Sequence, residues 1–435
     1  MRVLVYVRKW NEDFYVKLVK QAFDSPEIDV YSDFRGQGDI WGGQYIYDPA
    51  YDGQNESFEA NKEDIITRCR FLRSLPRAKA EELSGRFWNG MEERFLTRQY
   101  DVVVSAIIDC YTMDVIERMA EKMQCQYFSL VTFFVRGYSR FTRRGERYDA
   151  QRPVSEEEVR KVLDVLSEDS YTVNYTANQQ KKPGETRKFF LRRRLIERVA
   201  FPILKFKEKD PWNYHYNSLS FTEGPYRQYD VKRAQKHYKK IDEAALEGDE
   251  VYLPLHYAPE ATVDYWCGQA GLALYEKSVL DFISRSDPRV KFVVKEHPAM
   301  YGKRAISFYE KLCGRENVVI IHPYENSNRL MKKIHNVLVY TGSVGVEALL
   351  RGKRVFTVTE NYYSDTSANM VQVSKLEKED LALEDVKNDN VGMMRKILSG
   401  VFAANSSAGR DIDKSDLDEI AQEMRRIYLA NAGKD

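Results

Sequence analysis

Three stretches of the chain place small, polar or proline-restricted residues directly after apolar runs: "PLHYAPEAT" (254–262), "VVKEHPAMYGKR" (293–304) and "VYTGSVGVEALLRGK" (339–353). In the last, Thr341, Gly342 and Ser343 form a strand-to-helix turn. Small residues there let a ligand approach backbone N–H groups at a helix N-terminus, where the macrodipole favours an anion such as phosphate. Glu347, four residues after Ser343, falls on the same helical face and is placed to accept hydrogen bonds from ribose hydroxyls. The same residues also suit an ordinary helix start, with Ser343 as the cap and Glu347 as an acid complementing the dipole.

In the second stretch, Lys295 and His297 share a face if the strand continues, and Pro298 fixes the chain direction after the histidine. A fixed imidazole beside an ammonium suits a departing phosphate or diphosphate. No second ligand stands at metal spacing, so no metal is expected. Gly302, Lys303 and Arg304 strengthen the anion reading; a satisfied structural histidine is its rival. In the first stretch, His256 and Glu260 flank Pro259 immediately after a strand. A carboxylate there can serve as nucleophile, base or substrate anchor, or as the N-terminal acid of a helix beginning at "TVDYW".

These residues need parallel strands to bring them together. "EVYLPLHY", "RVKFVVKEH", "NVVIIHP", "NVLVYTG" and "RVFTVTE" read as strands. They alternate with helical patterns in "TVDYWCGQAGLALYEKSVLDFISR", "AISFYEKLCGR", "NSNRLMKKI" and "SVGVEALLRG", which predicts a doubly wound α/β lobe over 248–410. In such a lobe the strand ends share one edge, where ligands bind. The first part alternates too: strands in "VLVYV", "EIDVYSDF", "YDVVVSAIID" and "CQYFSLVTFF", helices in "EDFYVKLVKQAFD" and "TMDVIERMAEKMQ". A first lobe is therefore expected over 1–240, with a boundary near 235–249 after a polar helix in "YDVKRAQKHYKKIDEAALEGDE". The tail 411–435 reads as a helix that packs back across the lobes.

A length of 435 residues accords with two cores. Lysine plus arginine (67) nearly balances aspartate plus glutamate (66), giving a net charge of +1, which argues against nucleic-acid binding. Cys69, Cys110, Cys125, Cys267 and Cys313 lie far apart without CxxC spacing and read as reduced thiols of a cytoplasmic protein. No run approaches the roughly 18 apolar residues of a membrane span. Within a charged excursion over about 150–217, residues 187–207 mix basic and aromatic side chains. They form either an amphipathic helix on anionic lipid at the inner membrane or, the preferred reading, a solvated helix whose aromatics pack on the lobe beneath.

Taken together, "LPLHYAPEAT", "VVKEHPAMYGKR", "TGSVGVEALLRGKRVFTV" and "ENYYS" resemble, over Val251 to Ser364, the capsule polysaccharide biosynthesis family, whose members include bacterial β-Kdo transferases of GT-B architecture. The His-Pro pair also resembles the HP motif of bacterial sialyltransferases, which use CMP-activated sugars. The resemblance implies a GT-B-like pair of Rossmann-type doubly wound lobes facing a central cleft. It implies a metal-independent glycosyltransferase without a cofactor, taking a nucleotide-sugar, CMP-linked, as co-substrate and a surface glycan or lipid-linked glycan as acceptor. It places Glu260 at the catalytic centre, His297 on the donor phosphate, and Thr341, Ser343 and Glu347 on phosphate and ribose; joined to the reading of the residues themselves, this makes Glu260 and His297 the candidate catalytic residues and adds Lys295, His256 and Gly342 to the donor phosphate and ribose site. The chain departs from the Kdo transferases by carrying His256 and Pro259–Glu260 where they have a glutamine and an acidic pair, and "NYYSDTSANM" where they have a tryptophan-containing stretch. Two other activities compete: a UDP-sugar 2-epimerase-like isomerase and a noncatalytic scaffold of polysaccharide assembly. In the first lobe, Asp39, Asp109 and Glu146 stand near strand ends or Gly-rich loops as candidate bases.

Overall fold

The computed structural model describes residues 1–8, 11–32, 52–148, 150–168, 183–217, 230–258, 260–406 and 412–432. By its contacts the chain divides into two compact units. Residues 1–153, 199–219 and 398–435 make the first, and residues 154–198 and 220–397 the second.

In the first unit, β1 (Arg2–Val7), β2 (Glu27–Ser32), β3 (Val102–Ser105), β4 (Gln126–Thr132) and β5 (Ser139–Thr142) form one sheet in the order β2-β1-β3-β4-β5. Every pairing is parallel except that of β5 with β4. Val3 pairs with Val102 and Val5 with Val104, all four buried, as β-branched residues are in strands covered on both faces. One face is covered by helix Glu12–Ala22, whose Leu18 and Val19 share a core with Ile420 and Met424 of the C-terminal helix Lys414–Ala432. The tail helix thus belongs to the first unit. Helix Glu56–Arg68 begins at Asn55, whose side chain accepts the Phe58 N–H at 3.0 Å, a normal N-cap.

In the second unit, β6 (Val251–Pro254), β7 (Phe292–Lys295), β8 (Val318–Ile321), β9 (Asn336–Val339), β10 (Arg354–Thr357) and β11 (Met370–Gln372) form a wholly parallel sheet. The order is β11-β10-β9-β6-β7-β8, so the chain winds from β6 to β8 in one direction and returns beside β6 with β9. Both units are therefore doubly wound α/β. Val251, Leu253, Phe292 and Val294 are buried with Val279, Phe282 and Ile283 of helix Tyr275–Arg285 and with Phe308 and Leu312 of helix Ile306–Cys313.

Two expected helices are broken. The stretch 262–285 is helical only at Ala261–Asp264, in a 3-10 turn at Ala270–Ala273 and in Tyr275–Arg285, because Gly268 and Gly271 interrupt it. The polar stretch 229–250 keeps only Val231–Gln235 and a 3-10 turn at Glu243–Ala245. Between these, Lys239 pairs with the outer strand β8: its N–H donates to Ile320 O at 2.7 Å and its carbonyl accepts the His322 N–H at 2.9 Å. The free backbone groups of an edge strand outweigh weak helix propensity here.

Candidate active site at the strand ends of the second sheet

The reversal of winding puts β6 beside β9, with Val251 opposite Asn336 and Tyr252 opposite Val337. The carboxyl ends of these neighbours define the crevice in which doubly wound sheets bind ligands. His256 follows β6 there and meets the turn that follows β9. The Thr341 N–H points at His256 Nε2 over 3.4 Å, and a Cβ on Gly342 would lie 3.1 Å from His256 Cε1. Gly342 is therefore small because the histidine occupies the space. Burial, aided by the Arg304 charge, pushes the His256 imidazole down to about 4, so it is neutral near pH 7.

Glu260 joins the same group. It stands at the N-cap position of Ala261–Asp264 without capping it through its side chain. Its Oε2 instead accepts the Thr262 hydroxyl at 2.9 Å, while the Thr262 carbonyl accepts the Thr341 hydroxyl at 3.0 Å. A half-buried carboxylate is thus linked through one threonine to the phosphate-type turn.

His297 reaches the group from β7. The strand ends at Lys295, and His297 caps the 3-10 turn Pro298–Met300, its Nδ1 accepting the Ala299 N–H at 3.2 Å. The imidazole is pushed down to about 3 by burial first, then by Arg304, His256, Lys295 and Lys303. With Nδ1 accepting, the single proton sits on Nε2, which makes the ring a neutral donor. The Tyr257 ring lies 5.8 Å from it, centroid to centroid, and Lys303 Nζ stands 5.7 Å from the Tyr257 ring centre.

Lys295 is placed differently from the expected pairing with His297 along a continuing strand. Its ammonium is buried and donates to the Pro323 carbonyl at 3.1 Å, beyond the end of β8. Burial pushes it down to about 8. Gly302 also has a backbone duty: its φ is +73°, a Cβ would sit 3.0 Å from the Val231 backbone, and its carbonyl accepts the Asp230 N–H at 2.9 Å.

A pair that the sequence reading did not separate from its neighbours organises the site. Glu296 and Arg304, both withdrawn from water, join at 2.8 Å. Glu296 also accepts the Tyr309 hydroxyl at 2.6 Å and the His297 N–H at 2.6 Å. Arg304 donates to the His256 carbonyl as well and stands 3.8 Å from Glu276. One guanidinium therefore binds the segment after β6 to the segment after β7.

Ser343 occupies the N-cap position of helix Val344–Leu350 and makes no side-chain cap bond. That helix has only 7 residues, so its dipole is weaker than the sequence pattern implies. The turn is braced by Tyr363, whose hydroxyl donates to the Gly342 carbonyl at 2.7 Å and leaves no room for a Cβ on Gly345. The half-buried Glu347 carboxyl is raised by burial, against a lowering effect of Arg351. Arg351 itself donates to the Glu347 backbone carbonyl at 3.0 Å, and no hydrogen bond reaches the Glu347 carboxylate among the described residues.

In the first unit, Asp109 is clamped by Arg8 through both guanidinium nitrogens, one at 2.8 Å, and its carboxyl is held low by Arg8, His215 and Arg70 against burial. An ion-paired carboxylate is a poor base. Glu146 accepts the N–H groups of Arg143 and Arg144 at 2.5 and 2.7 Å, closing an exposed turn. Asp39 lies outside the described residues. Among the described residues Glu247, Asp249 and Glu250 could approach a metal together, but Lys291 and Lys378 already pair with the first two, and Glu250 accepts two backbone N–H groups.

The family model described as "Capsule polysaccharide biosynthesis protein" matches residues 109–368. The chain belongs to this family. No curated protein matches the sequence. Among solved structures, the β-Kdo 2,7 transferase KpsC of Thermosulfurimonas dismutans is 10% identical, with 98% of this chain and 100% of that one covered and a TM-score of 0.37. The UDP-GlcNAc 2-epimerase of Methanocaldococcus jannaschii is 12% identical, with 99% of each chain covered and a TM-score of 0.24. A glycosyltransferase from Rickettsia africae is 10% identical over 99% of this chain and 93% of that one, with a TM-score of 0.22. The matched residues span parts of both units, and they include all three strand-end segments. No helix among the described residues is long and apolar enough to cross a membrane.

Proposed function

We propose that this capsule polysaccharide biosynthesis protein is a glycosyltransferase that moves a sugar from a nucleotide-activated donor, CMP-linked, to a bacterial surface or capsular glycan. What supports this reading most is the joining of three separate segments at the β6–β9 crevice. Arg304 ties the His256 carbonyl to Glu296, His256 meets Thr341 and Gly342, and Thr262 links Glu260 to Thr341. A neutral His297, with its proton on Nε2, donates to the departing phosphate without adding a buried charge when the site is empty. Lys295 contributes its field from beside the strand, and Glu347 accepts from the ribose. No metal has a part in this mechanism.

With retention of configuration, the Glu260 carboxylate bonds to the anomeric carbon as the bond to the phosphate oxygen breaks, its electron pair leaving with the nucleotide. The acceptor oxygen then bonds to the anomeric carbon as the bond to Glu260 breaks, restoring the carboxylate, and its proton passes to the released nucleotide phosphate. With inversion, the acceptor oxygen attacks the anomeric carbon directly as the phosphate leaves, and a general base takes its proton. A lipid-linked acceptor would bring the protein to the cytoplasmic face of the inner membrane.

The test is a thermal-shift series with CMP, CDP, UDP, GDP and their sugar conjugates on wild type and His297→Ala. A ligand that binds only the native state raises the melting temperature. The expected result is a rise with cytidine nucleotides that His297→Ala removes. A rise with uridine nucleotides alone would replace the donor, and no rise with any nucleotide would overturn the proposal.

A further inference from the structure

Helix Pro183–Glu208 presents an apolar face to solvent. Val199, Ile203 and Phe206 are 53%, 61% and 88% exposed, and their spacing of about one helical turn puts them on one side. Leu195, exposed as well, falls one turn before Val199. The other side is the attached one. Phe201 packs at a tilt against the buried Tyr216 with ring centres 5.3 Å apart, and Lys205 donates to Asn217. The reading in which all the aromatics pack on the lobe beneath therefore holds for Phe201 and fails for Phe206.

Charge identifies what covers this face. The helix sequence carries eight basic and three acidic residues, and Arg198, Lys207 and Lys209 beside the stripe are exposed. A second copy would set one basic stripe against another. An anionic lipid surface meets both features at once: its headgroups match the lysines and arginines, and its acyl boundary accepts the apolar side chains. We infer that the face Leu195–Val199–Ile203–Phe206 inserts shallowly into an anionic membrane surface and holds the protein there as a peripheral protein. The inference does not depend on the sugar-transfer reading, since it concerns adsorption alone.

The experiment is co-sedimentation of the full chain with sucrose-loaded vesicles, either of phosphatidylcholine alone or of equal parts phosphatidylcholine and phosphatidylglycerol. Wild type is expected to pellet with the anionic vesicles at low salt and to be released as salt rises, because screening weakens the charge component. Ile203→Ser with Phe206→Ser, exposed changes that leave the fold's melting temperature unmoved, should weaken binding on the order of tenfold or more. Lys207→Glu should lower binding to anionic vesicles and leave the weak binding to neutral ones unchanged. Phe206→Trp adds a depth readout, its fluorescence quenched by bromine-labelled acyl chains. Absence of pelleting at low salt, undiminished pelleting of the serine variant, or concentration-dependent self-association that the serine variant abolishes would each overturn the inference.

Discussion

Replacing Arg304 by Met removes the cation that holds Glu296 while keeping most of the unbranched stem, so little cavity forms and the lost counter-charge dominates. Both partners are fully withdrawn from water. Breaking a buried pair from one side costs about 3–5 kcal/mol. Tyr309 and the His297 N–H still bond to Glu296, so the lower end, about 3 kcal/mol, is expected. The Glu276 carboxyl, already raised by burial, rises further once Arg304 no longer opposes it. The His297 imidazole also rises, because Arg304 is the foremost of the charges that hold it down. Urea denaturation followed by circular dichroism measures the first effect, and nuclear magnetic resonance of isotope-labelled histidines the last. Removing both charges with Glu296→Leu and Arg304→Met should cost less than Arg304→Met alone. A single-variant loss below about 1 kcal/mol, or a double variant as unstable as the two singles added, would refute the picture of an interdependent buried clamp.

The two site histidines make stability depend on pH. Their folded values of about 4 and about 3 lie below the ordinary 6.5, so the unfolded chain binds more protons as pH falls past 6.5. Stability from this source is complete above that pH and is lost below it, by at most about 1.4 kcal/mol per pH unit for each histidine. Melting temperatures between pH 7 and 5 should show the fall, and His297→Gln should shallow it. Gly345→Ala drives a Cβ into the Tyr363 hydroxyl and should cost about 1–3 kcal/mol by denaturant titration. A neutral effect would mean the turn yields freely. Glu260→Gln should cut sugar transfer at least about a hundredfold while nucleotide-induced thermal shifts persist; unchanged turnover would remove Glu260 from the chemistry.

The sequence made the second sheet legible because its inner strands are buried on both faces and read as short apolar runs. Val337 to Val339 and Val355 to Phe356 need no alternation to be recognised. β5 and β11 escaped the reading: "SRFT" and "MVQ" are too short to carry a period. The pairing of Lys239 with β8 escaped it too, since nothing local in "HYKKID" signals a remote edge strand. In the candidate site, His256, Glu260, Thr341 and Gly342 were found together because strand-end positions converge by topology alone. The contact of Glu296 with Arg304 was not legible, because eight residues across an irregular turn have no fixed geometry. The acceptor of Lys295 was not legible for a related reason. Its strand neighbour on the β8 side, rather than the crevice, supplied its acceptor.

The pairing of Lys239 with β8 has a consequence for association between molecules. Tyr238 pins this segment with ring contacts of 5.4 Å to Tyr309 and 5.6 Å to Tyr301. A chain begun at Val251 would retain every strand of the second sheet yet leave β8 with unpaired backbone groups, a template on which a second sheet can add. The stretch ahead of β6 therefore acts as a guard against fibre-like stacking, and a stand-alone version of the second unit stays soluble only if it starts before Tyr238.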